Sequence, residues 1–318
     1  MNTFSGGAAR LVAALVVVGS LGACGSTRGS TSGSGATAGI DDGASAVTST
    51  RASLGKGSSS APSVAMSDPM AGMDHGSMGG DAMDPTTGDG TRASELGFTL
   101  AVRDQPTRVG RQKVALQLTS ADGRPVTEVV VEQTKQMHLI VVRKDLTGYQ
   151  HVHPELVTDG RWIVDIDFAT AGTWRLIADV TPVAADGSTN RIALGVDVKV
   201  PGQADDTPLP EPSKVAAVDG YEVTLNGAVP VGTDADIMFS ITESGAPATG
   251  ISEYLGAGGH LVALNRETLA YTHLHSSGGP DSTLAFTAHV PRAGRYRLFL
   301  QFATGDTVHT APFTIDAT

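Results

Sequence analysis

The sequence predicts an all-β protein, two tandem Greek-key β-sandwiches that follow a signal peptide and a disordered tether. Three observations predict it. Apolar residues alternate at period two over short runs, as in Val114-Leu116-Leu118, Trp162-Val164-Ile166, Ile237-Phe239-Ile241 and Leu284-Phe286-Ala288. Asp-Gly, Ser-Gly and Ala-Gly turns separate these runs, and no long stretch has a helical period. The second half also repeats the first at a constant offset.

The N-terminus reads as an address. Arg10 precedes the short apolar run Leu11 to Gly19, which falls short of the roughly 20 apolar residues that span a bilayer. Leu21-Gly22-Ala23-Cys24 follows and resembles the lipobox of bacterial lipoproteins. That resemblance implies cleavage after residue 23, a lipid on Cys24, and a chain anchored to the cell membrane outside the cytoplasm. Cys24 is the single cysteine, so neither a disulfide framework nor a cysteine zinc site can form.

Residues 24–93 read as the tether, since Gly, Ser, Thr and Ala bury too little apolar surface to offset chain entropy. As a coil it reaches about 45 Å. Met66, Met70, Met73, Met78 and Met83 cluster there with His75 among them. Pro69 and four nearby glycines argue against a helical methionine stripe. Thioether sulfur is a soft ligand, so a flexible chain of this kind is a candidate Cu(I) site.

The repeat fills the remainder. Met137-His138-Leu139-Ile140-Val141-Val142-Arg143 leads to Tyr149-Gln150-His151-Val152-His153, and Gly259-His260-Leu261-Val262-Ala263-Leu264 leads to Tyr271-Thr272-His273-Leu274-His275. His138, His151 and His153 thus recur 122 positions later as His260, His273 and His275. The expected sandwiches cover 94–200 and 214–318, about seven strands each, joined by a stiff, Pro-rich, acidic linker over 201–213. The pairs Gly172-x-Trp174 and Gly294-x-Tyr296 resemble the Gly-x-Tyr corner of immunoglobulin-like domains.

In each copy the three histidines fall on one hairpin. His151 and His153 are two apart and face one side of the sheet, and a turn near Lys144 to Gly148 places His138 across from His151 or His153. A lone histidine on a sheet is ordinarily a hydrogen-bonded polar residue. Three converging imidazoles suit Cu(II) or Zn(II), bound at about 2.0–2.1 Å per nitrogen. Met137 would point away from such a site. His289 and His309 have no counterpart in the first copy and read as surface residues.

The block MHLIVVRKDLTGYQHVHPEL with AGTWRLIADVTP resembles exported bacterial immunoglobulin-like domains of the YtkA-like and heavy-metal-associated kind. The methionine-rich tether beside a histidine-bearing sandwich resembles CopC-type copper-resistance proteins. These resemblances imply a binding protein, not an enzyme, that handles copper outside the cytoplasm and partners an exported metal-transport protein. The chain departs from CopC, because its methionines lie in the tether and its first mature residue is Cys24, so site residues rest on spacing alone.

Two other classes stay open. One is a copper enzyme of superoxide-dismutase type, or a cupin, since both use His-x-His. No cysteine pair supports the first, and Glu155 lies too close to His153 for the second. The other is a cell-envelope adhesion or scaffold module without metal. The formal net charge of −11 argues against a nucleic-acid partner, which needs a basic patch.

Overall fold

The computed structural model describes residues 86–276 and 282–318. Cys24, Met66, Met70, Met73, His75, Met78 and Met83 lie outside the described residues, as do the signal peptide and most of the tether. Every regular element among the described residues is a strand, and no helix is long and apolar enough to cross a membrane.

Each copy is a pair of facing sheets. In the first, one sheet runs Ser94–Glu95, Phe98–Val102, Gly110–Thr119, Arg161–Phe168, Glu155–Leu156. The other runs Ile192–Val200, Gly172–Pro182, His138–Arg143, Gln150–Val152, with Val129–Val130 also on Gly172–Pro182. The alternating residues behave as their pattern requires. Leu116, Leu118, Trp162 and Ile166 from one sheet meet Leu139, Val141, Trp174 and Leu176 from the other in one core. The second copy repeats this with Val223, Ile237, Phe239 and Phe286 against Leu261, Leu298, Leu300 and Phe313. Among the described residues, seven strands of the first copy and eight of the second exceed two residues, and the remaining strands of each copy have two residues.

The corner residues behave alike. The indole Nε1–H of Trp174 donates to the Thr170 carbonyl at 3.1 Å, and the Tyr296 hydroxyl donates to the Arg292 carbonyl at 2.9 Å. Both reach four residues upstream, as the corner of an immunoglobulin-like sandwich does.

A third core joins the copies. His138–Arg143 and His260–Asn265 are buried along their whole length rather than on alternate residues. Leu139 and Val141 face their own sandwich, while Ile140 and Val142 turn outward to meet Val262, Leu264, Leu269, Tyr271 and Phe299 of the second copy. Tyr149 stacks flat on Phe299, with ring centroids 4.0 Å apart and planes at 9°. Burial of one such side chain contributes about 1.5–3 kcal/mol, so this face holds the two sandwiches together.

The segment expected as a stiff linker is docked on that body. Arg143 donates to the Asp205 carbonyl at 2.9 Å, the Thr207 N–H donates to Asp145 at 2.9 Å, and Leu209 packs on the joining core. The expectation for His309 also needs correction. It is 5% exposed, with one ring nitrogen 2.9 Å from Asp219 and the other 2.8 Å from the Thr304 hydroxyl. His289 is half exposed and pairs with Asp234.

Candidate metal centre

The register places the histidines. Ile140 pairs with His151 and Leu139 with Val152, so His138 lies level with His153; in the second copy His260 pairs directly with His275. His138 shares the outward face of its strand with Ile140 and Val142, while Met137, fully buried, joins the sandwich core. Met137 therefore points away, as expected. One ring nitrogen from each of His138, His151 and His153 lies within 4.8 Å of the other two, and the same holds for His260, His273 and His275. Either triad could hold a metal ion.

Hydrogen bonding decides which nitrogen of each ring is available. The Nε2 of His138 lies 3.0 Å from the Glu132 carbonyl, an acceptor only, so this nitrogen carries the proton and Nδ1 is bare. In the second copy the Nε2–H of His260 donates to the Tyr254 carbonyl at 2.9 Å. His273 Nδ1 lies 3.3 Å from Asp179 Oδ2 and 3.4 Å from Arg191 Nη2, and His151 Nδ1 lies 2.7 Å from Gln301 Oε1. With the protons on these outer nitrogens, the nitrogens that face each other are bare. His138 Nδ1 and His151 Nε2 stand 2.9 Å apart, and His260 Nδ1 and His273 Nε2 stand 3.2 Å apart. Two lone pairs at that distance repel unless a cation or proton lies between them. His153 Nε2 is buried and lacks a hydrogen-bond partner in the structure.

This is the proton distribution that metal ligation requires. Ligating imidazoles donate their second N–H to a carbonyl or carboxylate, which fixes the tautomer and aims the free nitrogen. The carbonyls come from tight turns. Gln133 and Thr134 hold positive φ of 44° and 66°, and Leu255 and Gly256 hold 53° and 75°. Glu132 and Lys135 exchange both backbone hydrogen bonds at 2.9 Å, as the mirror-image turn of a two-residue hairpin does.

Burial keeps all six rings neutral. Desolvation lowers His138, and it takes His151 and His273 well below the ordinary histidine value. It pushes His153 and His275 down to about 3 and His260 down to about 4. Repulsion from neighbouring imidazoles adds to it for His151, His153 and His275.

Spacing found all six ring-bearing positions and missed their supports. Glu132 and Tyr254 act through backbone carbonyls, which no side-chain pattern reveals. Asp179 and Gln301 occupy matching positions, 122 apart, but differ in residue type. Asp179 also receives Arg191 through two contacts, at 2.8 and 2.7 Å, and the Tyr271 hydroxyl at 2.8 Å.

Comparison with known proteins adds the family. No curated protein matches the chain. Among solved structures it is similar to a tetra-tandem repeat from the extending region of a large adhesion protein. The identity is 12%, covering 69% of this chain and 48% of that one, with a TM-score of 0.24. It is also similar to Salmonella alpha-2-macroglobulin reacted with methylamine, at 15% identity over 73% of this chain and 15% of that one, TM-score 0.25. The D00-D0 domain of intimin is similar at 10% identity over 70% of this chain and 99% of that one, TM-score 0.19. The chain thus spans about half of the first structure's length and a small part of the second's. The family model described as "Domain of unknown function (DUF8832)" matches twice, over residues 92–199 and 216–318, and each match contains one complete histidine triad. These matches take up more than half of the sequence, and the chain belongs to the DUF8832 family.

Proposed function

We propose that this protein binds metal ions outside the cytoplasm, is held at the cell membrane by a lipid on Cys24, and sequesters or delivers copper rather than catalysing a reaction. One observation carries the metal-binding reading. In both copies two buried imidazole nitrogens face each other, at 2.9 and 3.2 Å, while the opposite nitrogen of each ring has its own polar partner, which leaves the facing pair free to ligate. A stable protein core gains nothing from opposed lone pairs, whereas a divalent ion between them converts repulsion into two bonds. Imidazole sites of this kind suit Cu(II) or Zn(II), and the methionines of the tether with His75 suit Cu(I). A chain that captures copper at the membrane would pass it to, or take it from, an exported metal-transport protein. A cell-envelope adhesion or scaffold module is the second reading, and tandem sandwiches by themselves serve it equally well. The histidine centre separates the two, because a spacer has no use for six buried imidazoles.

Zn(II) or Cu(II) at hundredfold excess over its dissociation constant should stabilise the fold by about 2.7 kcal/mol per ion. His153→Gln should remove the first copy's increment and spare the second's. It is the better variant because His151 also holds Gln301. Melting of the full chain that neither ion moves at neutral pH would refute the metal reading and leave the scaffold.

The tether has its own test. Deletion of 66–83 should abolish one class of Cu(I) sites without altering the melting of the sandwiches, and Cys24→Ala should release the protein from the membrane. An unchanged Cu(I) stoichiometry or an unchanged membrane partition would refute the corresponding assignment.

A further inference from the structure

The two triads are not separate sites on separate domains. Four rings pack together across the joint between the sandwiches. His151 lies 5.2 Å from His273 and 5.8 Å from His260, and His138 lies 5.4 Å from His273 and 6.3 Å from His260, centroid to centroid. The two shorter of these contacts match the pairs His138–His151 and His260–His273 inside the triads, which stand 5.2 and 5.3 Å apart. His153 and His275 extend this cluster, each about 5 Å from its own two partners.

The supporting hydrogen bonds cross the joint. Gln301 belongs to the second sandwich, yet its side-chain oxygen holds Nδ1 of His151 in the first. Asp179 belongs to the first, yet its carboxylate faces Nδ1 of His273 in the second. The two contacts are related by the same offset of 122 that relates the triads, so they form a reciprocal pair about a local twofold. Both supporting residues are buried, at 2% and 5% exposure.

We infer that the six histidines form one two-ion centre built by the joint itself, in which each sandwich supplies three ligands to its own ion and the orienting residue for the other sandwich's ion. This rests on the metal-binding reading above. Its consequence is crossed control: Gln301 sets the affinity of the first triad, and Asp179 sets that of the second. The centre is complete only when the sandwiches are joined, so ion binding and docking of the two halves favour each other.

Zn(II) is the probe, because it has no redox chemistry and takes imidazole nitrogen. Two backgrounds of the full chain isolate the sites: His275→Gln leaves only the first triad competent, and His153→Gln leaves only the second. Loss of an orienting residue ordinarily lowers metal affinity about 10–100-fold. In the first-triad background Gln301→Ala should weaken Zn(II) by that factor and Asp179→Asn should leave it within about twofold. In the second-triad background the pattern should reverse. Gln301 has no ion pair to lose, so its two arms decide the matter even where Asp179→Asn fails to fold. Loss of affinity in both backgrounds alike, in neither, or only in the copy that carries the substitution would overturn the crossed centre while leaving metal binding intact. A wild-type chain that binds no Zn(II) would overturn the metal reading itself.

Discussion

Asp179→Ala is expected to cost about 3–5 kcal/mol, the loss that follows when one partner of a buried ion pair is removed. Asp179 and Arg191 are 2% and 6% exposed. Burial alone would push the Asp179 carboxyl up. The charge of Arg191, with hydrogen bonds from His273 and Arg191, more than reverses this and holds it well below the usual carboxylate range. Removal leaves the guanidinium without its bidentate partner in a site closed to water, and it leaves the Tyr271 hydroxyl without its acceptor. Both losses fall at the joint, since Tyr271 and His273 come from the second sandwich. Urea denaturation of the full chain measures the effect. Asp179→Leu combined with Arg191→Met should lose less than Asp179→Ala alone, because no bare charge then stays buried. A single-variant cost below about 1 kcal/mol would mean that the pair is screened by water and the joint open in solution.

Much of the fold was legible because each sandwich buries one face of most strands. Val114, Leu116 and Leu118 alternate with polar residues, and they are the residues that fill the core. The joint was legible only as an irregularity. Leu139-Ile140-Val141-Val142 and Leu261-Val262-Ala263-Leu264 are continuous apolar runs, and a strand of that kind is covered on both faces. Nothing local says what covers the second face, because Phe299 and Tyr271 are far away in sequence and look like ordinary strand residues. The site divides in the same way. Histidines two apart on a strand share a face by geometry, so the triads could be read from spacing. Their crossing supports could not, because Asp179 and Gln301 work across a joint that the sequence does not announce. His309 was misread for a related reason. The polar contacts of this buried imidazole, with Thr304 on its own hairpin and with Asp219, are completed only once the distant Asp219 turn has met that hairpin.

Acid should unfold the metal-free protein well before its carboxylates titrate. Six imidazoles are held below their ordinary value in the fold, while in the unfolded chain they take up protons near pH 6.5. The unfolded state therefore binds more protons than the folded state below that pH, and stability falls as pH falls. His260, pushed down to about 4 by burial, gives the scale. At pH 5 it alone costs about 2 kcal/mol relative to pH 8. The other five act in the same direction, so the sum is on the order of the whole stability of an ordinary domain. The lowered carboxyl of Asp179 destabilises the fold in acid too, but only as pH drops below about 4, where an unfolded aspartate begins to protonate. The window from pH 6.5 to 4 thus isolates the histidines. Denaturation midpoints measured in chelator should be level from pH 8 to 7 and fall steeply from 6.5 to 5. Saturating Zn(II) should carry the level region to lower pH, because protons must then displace an ion as well as enter a buried site. A metal-free midpoint that stays level down to pH 4.5 would mean that these rings reach water in the folded protein. Opposed bare nitrogens would then be no obstacle to protonation and no argument for a metal.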